Sequence, residues 1–171
     1  MPGEQLLALI LEQVHERRRT LYSRSAMRFE QKFSIRRPPE DAFDYMTDTS
    51  KLASWQTHKT SVELLTEGPP RLGTRVRERT KPPGMKEFEQ VVEFTAFERP
   101  QRLQVHVVGG PQPVDGTWTL EPDGDGGTRV RCVVEGDLRG AARFFGPIVR
   151  IGMARNFTDY HEKLRRNLEI A

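Results

Sequence analysis

Three polar residues on otherwise apolar segments are the side chains of this 171-residue chain best placed to do chemistry: Gln31, Glu78 and Gln90. Gln31 shares its parity with Phe29, Phe33 and Ile35; Gln90 shares it with Phe88, Val92 and Phe94; and Glu78 shares it with Val76. In a strand, alternate residues line one face, so each polar group points where its apolar neighbours point. A polar atom there needs a partner or a function. Glu78 is the sharpest of the three. Burial in an apolar cavity penalises the charged carboxylate and raises its pKa, which suits a general acid or base acting on an enolisable carbonyl compound. The competing expectations are a structural ion pair with an arginine such as Arg155, or a position in solvent.

Other chemistries lack their residues. The four histidines, His15, His58, His106 and His161, are not spaced as a metal pair, and neither a His-Glu-x-x-His motif nor a cysteine cluster is present, so neither metal nor cofactor is expected. His106 alternates with Val105 and Val107 and is expected to face outward, His58 to sit in a solvated loop, and His15 and His161 to lie on helices among polar neighbours. The lone Cys132 cannot form an internal disulfide and fits a reducing, cytoplasmic setting. No Gly-x-Ser-x-Gly elbow occurs. Asp123-Gly-Asp-Gly-Gly127 lacks the distal ligands of a calcium loop and precedes no helix, so it reads as a hairpin turn.

Charge excludes a further class. The isoelectric point is about 9.2, yet 27 basic residues face 24 acidic ones for a net charge of +3. Arg75, Arg77 and Arg79 alternate along one segment opposite Glu87, Glu89 and Glu93 on the next. That pattern is a cross-strand charge ladder rather than a phosphate-binding stripe, and no nucleic-acid partner is expected. No segment approaches the roughly 20 apolar residues of a membrane span. The apolar patch Leu6 to Leu11 is flanked by Glu4 and Glu12 and does not read as a signal peptide.

The elements that would position these groups follow from periodicity. Leu7, Ile10, Leu11, Val14 and Leu21 recur at helical spacing over residues 1–22, an amphipathic extension expected to pack on the domain or against a second subunit, as a homodimer, with a membrane-surface role as the alternative. Residues 1–26 are thus an extension and 27–171 the main domain. A strand over 27–36 leads into a helix opened by Pro39-Glu40-Asp41. A second short helix, capped by Thr49 or Ser50, ends near Trp55. Strands are predicted at about 59–67, 73–80, 86–98, 102–109, 113–121 and 128–137, separated by Pro/Gly turns. From Gly140 onward one amphipathic helical stretch runs to the end, interrupted near Gly146-Pro147.

This order resembles the helix-grip fold of the START-like SRPBCC superfamily, specifically its polyketide cyclase/dehydrase branch. The matching stretches are Phe33-Ser-Ile-Arg-Arg-Pro-Pro-Glu-Asp-Ala-Phe43 through Trp55, Gly73-Thr-Arg-Val-Arg77, Val92 through Leu103, and Gly116-Thr-Trp-Thr-Leu-Glu-Pro122 running into Gly127-Thr-Arg-Val130. The resemblance implies an α+β fold: a seven-stranded curved antiparallel sheet wrapped round a long C-terminal helix, with two short helices after the first strand and an extra N-terminal helix.

It also implies a cavity between sheet and helix. Strand parity nominates Gln31, Phe33, Val76, Glu78, Phe88, Gln90, Val92, Phe94, Val105, Trp118, Val130 and Cys132 for its lining, facing Phe145, Val149, Met153, Asn156, Phe157 and Tyr160 from the helix. Trp55 is expected either to close the mouth or to plug the helix pair. The expected partner is a hydrophobic small molecule such as a lipid, an isoprenoid or a polyketide, bound without chemistry. The alternatives are a cyclase, aromatase or dehydratase using Glu78 in the cavity, and an interaction module acting through the N-terminal helix.

Overall fold

A computed structural model describes residues 26–170. The expected N-terminal helix and its dimer contact lie outside the described residues. Strand β1 (Ala26–Ile35) ends before Pro38, and α1 (Pro39–Thr47) follows with proline in its first turn, where the missing N–H costs no hydrogen bond, and with Glu40 and Asp41 beside its positive end. A single 3₁₀ turn (Thr49–Lys51) then leads into α2 (Leu52–Trp55). The side-chain cap belongs to the 3₁₀ turn and is Asp48, whose carboxylate accepts the Ser50 N–H at 3.0 Å, rather than Thr49 or Ser50.

The remaining strands are β2 (Lys59–Leu64), β3 (Arg75–Thr80), β4 (Phe88–Glu98), β5 (Arg102–Gly109), β6 (Val114–Asp123) and β7 (Gly127–Asp137). They form one antiparallel sheet in the order β1-β7-β6-β5-β4-β3-β2. From β2 to β7 each strand pairs with the next in the chain, so the longest connection between strands is the one from β1 to β2. These are the two edges of the sheet, and the helix pair carries the chain between them. The Asp123 to Gly127 stretch is a hairpin turn, with Gly126 at φ +77° and its N–H bonded to Asp123 O at 3.1 Å.

Irregular pairing curls the sheet. Register shifts interrupt β4 against β5 at Val91/Val92 and Phe94/Ala96, and β2 against β3 between Lys59 and Ser61; such bulges add twist and re-aim side chains. On the convex face the charge ladder forms: Arg75 donates to Glu93 at 2.7 Å and Arg79 to Glu89 at 3.3 Å, while Glu87 turns instead to the Thr60 hydroxyl.

The chain then makes a 3₁₀ segment (Gly140–Phe145) and the long α3 (Gly146–Ile170), with Pro147 in the first turn marking the division. Glu169 accepts from the Arg36 backbone N–H and guanidinium at 3.1 and 3.0 Å, and Arg37 donates to Leu168 O at 2.7 Å. The C-terminal end of α3 is thereby fixed to the end of β1. Ile35, Phe43, Met46, Leu103, Leu120, Val130, Leu164 and Leu168 fill the space between sheet and helices at that end.

Candidate functional site

The bulge in β2 has a chemical consequence. Thr60 is the extra residue, and Lys59 turns to the inner face beside Glu78 of β3. The two side chains form an ion pair and are only 6% and 5% exposed. Gln90 of β4, opposite Glu78 in the register, donates its Nε2–H to Glu78 Oε2 at 3.0 Å. Burial lowers the Lys59 ammonium below its ordinary value, and the Glu78 charge offsets part of that effect. Tyr160 of α3 is drawn into the same group: burial first, then the Glu78 carboxylate, pushes its phenol up to about 12, and the His58 backbone amide bonds its oxygen. Glu78 thus has the structural partner the sequence offered as an alternative, but that partner is Lys59; Arg155 is exposed.

A second polar chain crosses the inner face further along α3. The Trp118 Nε1–H of β6 donates to His161 Nε2 at 3.1 Å, and His161 Nδ1 lies 2.6 Å from Gln31 Oε1 on β1. Phe33 stacks on the imidazole at 4.5 Å between centroids. His161 is 1% exposed, and burial pulls its pKa down to about 3, so the ring is neutral. Gly116 makes the arrangement possible. A Cβ there would lie 2.9 Å from Cη2 and Cζ3 of Trp118 and 3.3 Å from Val105, so only glycine lets the indole lie across the strand.

Around these two chains the inner face divides into a closed and an open half. Val76, Val92, Phe94, Trp118, Val130 and Cys132 are buried in the core. Phe29, Gln31, Phe33, Phe88, Gln90 and Val105 are half-buried, as are Val149, Met153, Asn156 and Phe157 on α3. Phe29 stacks on Phe157 at 5.7 Å, and Phe157 meets Tyr160 edge-on at 5.9 Å. Half-buried apolar side chains of the sheet thus face half-buried residues in the first half of α3, with Gln31 and Gln90 among them, while the buried residues close the other half.

Several sequence expectations change here. His161, expected among polar neighbours, is the buried centre of the second polar chain. His58 is half-buried, with its ring 5.8 Å from Tyr160. Trp55 does not close a mouth: it is 2% exposed and plugs the helix pair, and its Nε1–H has no partner among the described residues. Phe145 is 56% exposed rather than lining the cavity, because the 3₁₀ segment breaks the helical phase that placed it there. Lys59 escaped notice because strict alternation puts it with the exposed Ser61 and Glu63. Two outer concavities of about 350 and 330 Å³ lie elsewhere, one on the charge ladder at Arg77 and Arg79 and one between α1 and Arg99. Among the described residues no group of three His, Cys, Asp or Glu converges to hold a metal, and no helix is long and apolar enough to cross a membrane.

Solved structures share this fold. A protein of Thermus thermophilus superposes with a TM-score of 0.73 at 21% identity, covering 84% of this chain and 97% of its own. A START superfamily protein from Mycobacterium smegmatis gives 0.72 at 11% identity, over 84% and 97% of the two chains. The Zhui aromatase/cyclase from Streptomyces sp. R1128 gives 0.69 at 15% identity, over 84% and 94%. No curated protein matches. A family model described as polyketide cyclase / dehydrase and lipid transport matches residues 26–169, nearly the whole described region. With that match added to the curved seven-stranded sheet and its long C-terminal helix, the chain belongs to the polyketide cyclase / dehydrase and lipid transport family, within the START-like fold.

Proposed function

We propose that the chain binds a hydrophobic small molecule, of lipid, isoprenoid or polyketide-like type, in the cleft between the sheet and the first half of α3, and acts as its carrier or sensor. The observation that carries this reading is that Phe29, Val105, Met153 and Phe157 are apolar, face inward and yet remain half-buried. A ligand that covers them gains roughly 25 cal/mol per Å² of apolar surface before ordering costs, while a few polar groups fix its orientation.

A second reading is catalysis on a carbonyl compound, with Glu78 as acid or base and Tyr160 nearby, as the aromatase/cyclase neighbour suggests by analogy. The pairing of Glu78 favours the carrier. A proton-transfer group must meet its substrate, whereas Glu78 is held by Lys59 and Gln90. The buried thiol of Cys132 suits a reducing compartment.

Titration with a solvatochromic dye tests the binding reading. The parent protein is expected to bind the dye with a blue shift in emission. Met153→Asp, which places a charge in the cleft, is expected to weaken binding at least ten-fold while cooperative unfolding is retained. Parent-like affinity in that variant contradicts the assignment.

A further inference from the structure

Resting on the cleft as the ligand site, we infer that the molecule it takes presents a carbonyl-type oxygen, an acceptor with no hydrogen of its own, to the Nε2–H group of Gln31. The argument begins at Trp118, whose indole N–H can only donate. Its partner at 3.1 Å is His161 Nε2, which must therefore be the unprotonated nitrogen of the ring. A doubly protonated imidazolium would set donor against donor at that contact, in a core where burial already disfavours the charge. The single ring proton is left on Nδ1 and is donated to Gln31 Oε1 at 2.6 Å.

That bond fixes the Gln31 amide, because only its oxygen can accept. The oxygen is turned to His161, and the NH₂ is turned away from it. This group donates no hydrogen bond to any described residue. Gln31 lies between Phe29 and Phe33 on the inner face and is half-buried, among the apolar residues proposed to hold the ligand. The amide edge turned away from His161 carries two donors and suits an oxygen that only accepts, whereas a hydroxyl there would need a further partner for its own hydrogen. The selection is imposed from β6 through α3 to β1, and Gln31 acts as the specificity-determining end of that chain.

Two tricyclic probes of nearly equal shape, fluorene and fluorenone, separate this inference from the reading beneath it. Binding of both to the full chain, followed by calorimetry or fluorescence, is expected to favour the ketone by on the order of three- to ten-fold, the range of one neutral hydrogen bond. Gln31→Glu keeps an acceptor for His161 Nδ1–H but offers no donor, and Gln31→Met offers neither. Both are expected to lose the ketone preference, read as the ratio of the two affinities within each protein. Nitrogen-15 shifts of the His161 ring supply a second readout and are expected to report the Nδ1–H tautomer in the parent. Equal affinity of the parent for the two probes, a preference that survives in both variants, or an Nε2–H tautomer overturns the inference while leaving the cleft reading intact. Failure of both probes to bind the parent overturns the cleft reading, and the inference with it.

Discussion

Lys59 and Glu78 form an ion pair between neighbouring strands on the inner face of the sheet, with both side chains almost fully removed from solvent. Two charges so placed owe their position to each other and to the Gln90 amide. A buried pair is weak evidence of net stabilisation, because desolvation of both ions offsets much of their attraction, yet removing one partner strands the other.

Glu78→Leu is therefore expected to destabilise the fold by roughly 3–5 kcal/mol, and Lys59→Met by a similar amount. The double variant Lys59→Met, Glu78→Leu is expected to recover most of that loss. Urea unfolding of the four proteins measures the cycle. Additive losses in the double variant would mean that the two side chains do not act as a pair.

His161 predicts an acid limb of the stability curve. Its folded-state pKa is near 3, below the ordinary 6.5, so the unfolded chain takes up this proton first as the pH falls. The contribution of neutral His161 is complete above about pH 6.5 and is lost progressively toward pH 3, at about 1.4 kcal/mol per pH unit for one proton. In His161→Phe the slope between those limits is expected to be shallower by that one proton. Unfolding free energies of the two proteins measured from pH 3 to pH 7 check the difference, and parallel curves would refute it.

At Gly116 the prediction is steric. Gly116→Ala places a methyl group against Trp118 and Val105 and is expected to cost about 1–3 kcal/mol, because the indole is also tied to His161 and cannot simply turn away. The Trp118 Nε1–H resonance is expected to move with the displaced ring. An unchanged resonance together with unchanged melting would show that the strand absorbs the methyl group elsewhere.

Much of this architecture is legible in the sequence, for definite reasons. Alternation in β1, β3, β4 and β6 places Gln31, Glu78, Gln90 and Trp118 on one face because the side-chain period of a strand is two wherever the ladder is regular. Pro39-Glu40-Asp41 locates the start of α1 because helix N-termini favour those residue types. The reading fails where regularity fails. A one-residue bulge reverses Lys59, and no local pattern in Lys59-Thr60-Ser61 announces it. The 3₁₀ segment shifts the phase that assigned Phe145. His161 looks like a surface residue beside Glu162 and Lys163, and only the long-range approach of Trp118 and Gln31 gives it partners. The one signal for it in the sequence is its four-residue spacing from Phe157 and its adjacency to Tyr160, which put it near the apolar stripe of α3.

The central claim is that a hydrophobic molecule occupies the cleft between the sheet and the first half of α3. Amide and methyl chemical-shift mapping during titration with fluorene tests it most directly. The expected result is saturable shifts concentrated at Phe29, Gln31, Val105, Met153 and Phe157, with the convex-face arginines Arg75, Arg77 and Arg79 unmoved. Saturable shifts confined to that convex face, or none at any residue of the inner face, would contradict the account.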